Sequence, residues 1–151
     1  MPVQLTDHFS LEELSHSDVA IRRGLDNAPN AGEVANLRRL AETLLEPVRE
    51  LLGVGLTVNS GFRCPGLNQA VGGAIGSAHM DGRAADVVPV GMTVADAFYK
   101  IKRSDLPFDQ LIFECGSWLH LAVAKVGADP RQQVLTATGG PGAWKYAQVI
   151  G

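Results

Sequence analysis

The chain has too little cysteine for a disulfide framework. Its 151 residues include two cysteines, Cys64 and Cys115, and no Cys-x-x-Cys spacing. Small domains that depend on disulfides carry several cysteines in regular patterns. We therefore expect two reduced, buried thiols. Each cysteine adjoins a candidate site residue, so a disulfide or an extra metal contact remains an open alternative.

Long apolar runs and basic clusters are missing as well. No apolar run approaches the ~20 residues of a membrane span. The net charge is -3 at pH 7, and no run of Lys and Arg predicts binding to nucleic acid or to an anionic membrane. Residues 1–7 lack the basic and apolar regions of a signal peptide. We expect a protein made in the cytoplasm, with no nucleic-acid or membrane partner.

Length and composition fit one globular domain over residues 1–151. The chain is 46% hydrophobic and 19% charged, as ordinary globular proteins are, and it is long enough to bury a sizeable core. It shows no internal repeat and no low-complexity linker, and we expect a monomer. There is no His-Glu-x-x-His motif, which excludes a helical metallopeptidase site of that type. No Lys-Ser/Thr follows the glycine-rich loop 72–76, so this is not a phosphate-binding loop.

Apolar spacing predicts one long helix in the first half of the chain. The three- and four-residue pattern consists of Val34, Leu37, Ala41, Leu44, Leu45, Val48, Leu51 and Leu52. Pro47 removes one backbone hydrogen bond and should kink this helix, and Gly53 should end it. Upstream, Ser10 and Glu13 have the spacing of a capping box and predict a short helix. Residues 18–30 indicate another short helix followed by a loop.

The second half of the chain contains most of the predicted strands. They cover residues 56–58, 84–88, 110–114, 118–124 and 133–137, with a small helix over 66–71 and a longer one from Thr93 to about Arg103. Helices and strands do not alternate regularly, which favours the α+β class. We expect a small, mainly antiparallel sheet with helices packed on one face.

Two histidines and an aspartate form a candidate zinc site. His79 and Asp86 lie seven residues apart among small and apolar residues, and His120 lies in a predicted strand. Side chains alternate along a strand, so Asp86 can face a cleft while its neighbours fill the core. Three protein ligands leave a fourth position of a tetrahedral zinc ion for a water, and zinc lowers the pKa of that water to about 7. This combination predicts hydrolysis of amides.

Glu114 is the candidate general base and acid. The loop 115–117 is the right length for a three-residue hairpin turn, which would place Glu114 directly opposite Trp118. His120 would then be the diagonal neighbour of Glu114, roughly 7–8 Å away at the backbone. A glutamate side chain can cross that gap. Asp81 is the weaker alternative for this role.

These motifs resemble those of the M15 zinc peptidases. The pattern Ser-x-His-x-x-Gly-x-Ala-x-Asp over residues 77–86, followed by Trp-x-His over 118–120, is similar to their metal motifs, and segments 7–14, 46–49 and 60–68 resemble phage-type members. Many members carry an acid three positions before the last histidine, where this chain has Ser117. The resemblance implies a zinc D-Ala-D-Ala carboxypeptidase-like fold, one zinc ion and a peptidoglycan stem peptide as substrate.

Several further residues are candidates for substrate contact. Arg63 suits a substrate carboxylate because guanidinium binds carboxylates through two parallel hydrogen bonds. The resemblance implies that it contacts substrate or polarises the carbonyl, and a structural salt bridge is the alternative. Ser77 either binds substrate or caps its loop, and Trp118 forms a wall of the cleft. Asn68, Asp109 and Gln110 are candidates for a supporting role, and Asn68 also for substrate binding.

Taken together, the motifs and the resemblance predict a single-domain zinc peptidase that acts on peptidoglycan. The resemblance implies an endolysin of phage or prophage type that cuts the L-alanyl-D-glutamate bond and acts on the cell wall after release from the cytoplasm. A D-alanyl-D-alanine carboxypeptidase is the first alternative. A zinc-containing module that binds the wall, or belongs to a phage particle, without catalysis is the alternative from another class.

Overall fold

The computed structural model describes residues 2–149. The helices are α1 (Asp18–Arg23), α2 (Ala31–Leu40), α3 (Glu46–Leu52), α4 (Pro65–Ala70) and α5 (Val94–Lys102), with a π-helical turn at Ala41–Leu45 and a 3-10 turn at Ala78–Asp81. The strands are β1 (Leu56–Ser60), β2 (Ala84–Pro89), β3 (Gln110–Glu114), β4 (Trp118–Ala122), β5 (Gln133–Thr138) and β6 (Lys145–Gln148). The predicted α+β class is confirmed.

The predicted long helix is continuous but changes its winding at the centre. It begins at Asn30, which forms a capping box with Glu33, and it ends at Gly53, whose φ is 69°. Just before Pro47, the N–H of Glu46 bonds to the carbonyl of Ala41, five residues back. Proline has no N–H to donate, so the hydrogen-bond ladder is interrupted at this point. The disturbance predicted at Pro47 therefore takes the form of a π-turn.

The sheet has six strands in the order β1-β2-β4-β3-β5-β6. The β1–β2, β2–β4, β3–β4 and β5–β6 pairs are antiparallel, whereas β3 and β5 are parallel. The sheet is therefore mixed: four of its five strand pairs are antiparallel, in line with the prediction, and the parallel β3–β5 pair is the exception. The parallel pairing arises because residues 123–132 carry the chain back to the start of β3, where Gln132 and Gln133 donate to the carbonyls of Phe108 and Asp109.

The two faces of the sheet differ in cover. One face packs against the long helix and α5 in the main core, with Val87, Leu111, Leu119 and Leu121 from the strands. Each such buried side chain stabilises the fold by about 1.5–3 kcal/mol. The other face carries a small apolar cluster of Ile112, Leu135 and Ala137. It also carries the buried polar groups of β2, β3 and β4. Because the helices pack on the opposite face, this face is available for a functional site.

The segment predicted as a helix after Ser10 is a turn instead. The cap contact exists, since Ser10 Oγ accepts from the Glu13 N–H, but the carbonyl of Leu14 accepts from the N–H of Phe62 at 2.7 Å. The Leu14 carbonyl therefore bonds to Phe62 instead of accepting the next hydrogen bond of a helix. The approach needs the glycine at 61, where a Cβ would lie 2.1 Å from the Leu14 carbonyl oxygen.

Three smaller expectations have clear outcomes. Strand β6 was not predicted, and it pairs with β5 over Leu135–Thr138. Cys64 and Cys115 are free thiols, but neither is fully buried: Cys64 is half-buried, and Cys115 is exposed in the β3–β4 turn with φ 52°. Among residues 2–149, no helix has the length and apolar character needed to cross a membrane.

Candidate active site

Three separate elements deliver the candidate metal ligands. His79 lies in the 3-10 turn, which begins at Ser77 and ends at Gly82 with φ 77°. Asp86 on β2 and His120 on β4 are directly opposite each other in the antiparallel register. Because opposite residues share a face, both side chains point to the face that the helices leave open. The turn then brings His79 over that face from one edge.

The three side chains converge on one point. Oδ1 of Asp86 lies 3.2 Å from Nε2 of His79 and 3.1 Å from Nδ1 of His120. One ligand atom from each residue lies within 4.8 Å of the others. The residues are 2%, 5% and 7% exposed in chain order. The structure thus brings together the three residues that the sequence nominated as metal ligands.

The hydrogen bonding of His79 requires a cation or proton at this point. Its Nδ1 is 2.7 Å from the carbonyl oxygen of Gly61, which can only accept, so Nδ1 carries the hydrogen. Burial lowers the pKa of His79, against the opposing effect of Asp86, and in the neutral ring the Nε2 lone pair faces a carboxylate oxygen. Two lone pairs repel unless a cation lies between them. Two imidazole nitrogens and one carboxylate oxygen are ligands that zinc accepts. In zinc sites the other ring nitrogen of a ligating histidine commonly donates to a carbonyl, as Nδ1 of His79 does here.

Asp86 remains charged despite its burial. Burial by itself would raise its pKa, but the two imidazoles outweigh that effect and hold the pKa of Asp86 well below its usual range. Its second oxygen, Oδ2, accepts from the Arg63 guanidinium at 3.2 Å. The carboxylate is therefore held at both oxygens, which fixes its orientation toward the histidines.

The Arg63 guanidinium makes three hydrogen bonds within residues 2–149. It donates to Asp86, to Ser60 Oγ at 3.0 Å and to Asn68 Oδ1 at 3.2 Å. Asn68 is buried and donates its amide N–H to the carbonyl of Ala74 at 3.0 Å. The salt bridge that the sequence left as an alternative is present, and Asn68 supports it. Contact of Arg63 or Asn68 with substrate stays a prediction.

Glu114 lies beside the metal ligands in the predicted register. It is opposite Trp118 across the β3–β4 hairpin, and Trp118 Nε1 donates to its Oε2 at 2.9 Å. Its Oε1 is 3.9 Å from Nδ1 of His120. Burial and the charge of Asp86 raise the pKa of Glu114, partly offset by His120 and Trp118. A carboxyl group with a raised pKa is suited to exchange protons near neutral pH.

The remaining candidate residues have clear positions. Ser77 lines the cavity and its Oγ accepts from the His79 N–H at 3.2 Å. Asp81, the alternative acid, is half exposed and pairs with Arg83 instead. Asp109 is bound by Arg131 through both carboxylate oxygens. Gln110 donates to Gln133 at 2.7 Å.

A cavity of about 490 Å³ opens over the metal cluster. Its wall includes residues that the sequence did not nominate, namely Ile112, Arg131, Leu135, Pro141, Trp144 and Tyr146. Most of these come from β5, β6 and the loop between them. The available signal was the pair of aromatic residues near the end of the chain. The sequence did not place Trp144 and Tyr146 against the site, because β6 was not recognisable in it.

A buried His-Asp-His cluster that could hold a metal ion lies beside a carboxyl group of raised pKa at the base of an open cavity, as in metal-dependent hydrolases. The family model described as Peptidase M15 matches residues 7–122, which include all three candidate ligands and Glu114. The chain therefore belongs to the M15 peptidase family and is a peptidase. None of the curated proteins compared matches this chain.

Proposed function

We propose that the protein is a zinc-dependent peptidase that hydrolyses stem peptides of peptidoglycan. Membership of the M15 family supports peptidase activity. The observation that carries the proposal is the convergence of His79, Asp86 and His120 within reach of Glu114. The proposed bond is L-alanyl-D-glutamate, as in phage or prophage endolysins, with a zinc D-Ala-D-Ala carboxypeptidase-like fold. Action on the wall after release from the cytoplasm, as a monomer, belongs to the same proposal.

The residues divide the work as follows. His79, Asp86 and His120 would hold zinc, which supplies an acidified water and a Lewis acid when bound. Glu114 takes a proton from the attacking water at Oε1 and passes it to the leaving amine nitrogen. Trp118 holds the other oxygen of Glu114, so that Oε1 faces the cluster. Arg63 keeps the Asp86 carboxylate in place through Oδ2.

Substitution of Glu114 by glutamine tests the proposal. The change keeps the shape of the side chain and the bond from Trp118 but removes proton transfer, so we expect kcat to fall by about 10²- to 10⁴-fold. The measurement is digestion of purified peptidoglycan with mass spectrometry of the fragments. Zinc content, measured by elemental analysis, should stay at the wild-type value. Glu50→Gln is the matched control, since Glu50 is exposed on α3.

The fragments also separate the alternatives. New N-terminal D-glutamate identifies an endopeptidase, and free D-alanine identifies a D-alanyl-D-alanine carboxypeptidase. Binding of zinc and of peptidoglycan with no fragment released by the wild type would contradict the proposal. That result would favour a binding module of the wall or of a phage particle.

A further inference from the structure

Strand β6 brings a tyrosine to the face of the sheet that holds the metal cluster. Tyr146 is opposite Ala137 on β5, Ala137 is opposite Glu114 on β3, and Glu114 is opposite Trp118. These four residues form one row across four strands. Adjacent strands lie about 4.8 Å apart, so Tyr146 is roughly 10 Å from Glu114 at the backbone. Ala137 between them is buried in the small apolar cluster against which Trp144 packs.

The Tyr146 side chain lies in the cavity with an unused hydroxyl. It lines the cavity and is 47% exposed, and within residues 2–149 its hydroxyl forms no hydrogen bond. Burial, followed by the charges of Glu114 and Asp86, raises the pKa of Tyr146. The phenol therefore keeps its proton at neutral pH and remains a donor.

The segment that carries Tyr146 is fixed in place. Four residue pairs join β6 to β5. Pro141 packs so closely on Gly72 that a Cβ there would lie 2.5 Å from the Pro141 Cβ, and Gly142 donates to the Gly72 carbonyl at 3.2 Å. Trp144 packs edge-to-face on Trp118, with ring centroids 6.3 Å apart. The hydroxyl is thus presented by an ordered element, as a preorganised donor must be.

Arg63 and Tyr146 are the two candidate donors to a substrate carbonyl in this cavity. The Arg63 guanidinium is already shared among Asp86, Asn68 and Ser60, and it approaches from the β1 edge of the sheet. Tyr146 approaches from the β6 edge, so the two lie on opposite sides of the cluster. A substrate amide in the cavity would have Arg63 on one side and Tyr146 on the other.

We propose that the Tyr146 hydroxyl is a catalytic hydrogen-bond donor to the substrate. It donates to the carbonyl oxygen of the amide that is cut, as this oxygen takes up negative charge during hydrolysis. The assignment rests on the proposed function. It extends the active site to residues beyond 122, where the family match ends.

The test compares the two tyrosines of the chain. Tyr146→Phe removes the hydroxyl and keeps the ring, and we expect kcat on a stem peptide to fall by about 10- to 100-fold with KM within about twofold of wild type. Tyr99→Phe is the matched control, since Tyr99 is 46% exposed on α5 and packs on Arg103 and Phe98. It should leave both constants unchanged. Zinc content and thermal unfolding should be the same in all three proteins.

A binding measurement separates this role from a structural one. A phosphinate dipeptide places a charged oxygen where the reacting carbonyl oxygen would lie. Tyr146→Phe should therefore raise the Kd of this dipeptide by the same factor by which it lowers kcat. The intact stem peptide should bind Glu114→Gln and the double variant Glu114→Gln/Tyr146→Phe equally well. Calorimetry gives both affinities.

Each outcome has one meaning. An active wild type with an equally active Tyr146→Phe variant overturns the role of Tyr146 and leaves the proposed function intact. A raised KM at unchanged kcat also overturns it, because the hydroxyl would then bind substrate and transition state equally. A wild type that cuts no stem peptide overturns the proposed function and this inference together.

Discussion

At the scale of single residues, the site depends on a glycine that touches no ligand. A Cβ at Gly73 would lie 2.1 Å from Asn68 Oδ1 and 2.9 Å from Arg63 Nη1. These two atoms form the bond that supports the Arg63–Asp86 pair. The side chains of Arg63 and Asn68, which orient the Asp86 carboxylate, therefore have room only because residue 73 has no side chain.

Gly73→Ala should therefore weaken zinc binding. The added methyl group displaces Asn68 and Arg63, and loss of such supporting contacts lowers metal affinity by about 10- to 100-fold. Competition with a fluorescent zinc chelator measures the affinity. Gly55→Ala is the control, because its Cβ would meet Val90 at an ordinary 3.8 Å. Equal affinity in both variants would show that Arg63 does not orient Asp86.

At the scale of elements, an ion pair joins the starts of β3 and β5. Arg131 donates to Asp109 Oδ1 and Oδ2 at 3.0 and 2.8 Å, and its backbone N–H also donates to Oδ1. Asp109 directly precedes β3 and Arg131 lies two residues before β5. The pair therefore anchors the connection that allows these two strands to run parallel.

Asp109→Asn should destabilise the fold in a pH-dependent way. The hydrogen bond from Arg131 is the main cause that lowers the pKa of Asp109 in the folded protein. The pair thus contributes stability above the unfolded-state pKa of about 3.9, and the contribution is lost as pH falls through the lower folded value. Because Arg131 is half exposed, we expect a loss of about 1 kcal/mol at pH 7. Urea unfolding at several pH values measures it, and a constant difference down to pH 2 would contradict the assignment.

At the scale of the whole molecule, the sheet has the main hydrophobic core on one face and the candidate active site on the other. Its helix-covered face holds the main core, and its other face holds a buried carboxylate, two imidazoles and Glu114. The carboxylates of Asp86 and Glu114, which repel each other when both are charged, are thereby buried on one side. A bound cation should relieve this repulsion and stabilise the fold.

Removal of metal should lower the melting temperature. A ligand that binds only the folded state stabilises it by about 2.7 kcal/mol at a concentration 100 times its Kd. Differential scanning fluorimetry with excess zinc and with EDTA measures the shift. His120→Asn, which removes one ligand nitrogen, should show little difference between the two conditions. An equal shift in this variant would place the metal elsewhere.

The sequence predicted local features better than distant pairings. The motif around His79 and Asp86 nominated residues that the structure brings together, and the three-residue turn correctly predicted Glu114 opposite Trp118. Neither β6 nor the parallel β3–β5 pair was predicted. The short segment 145–148 has no distinct strand pattern, and its pairing depends on a return of the chain that no local spacing encodes.

The peptide group between Gly61 and Phe62 links the metal cluster to the N-terminal turn. Its N–H donates to the Leu14 carbonyl at 2.7 Å, and its carbonyl accepts from His79 Nδ1 at 2.7 Å. Hydrogen bonds in series polarise one another, so the bond to Leu14 makes the Gly61 oxygen a stronger acceptor. Electron density shifts toward the opposite nitrogen of the imidazole, so the backbone around residue 14 would tune how strongly Nε2 of His79 binds a metal ion.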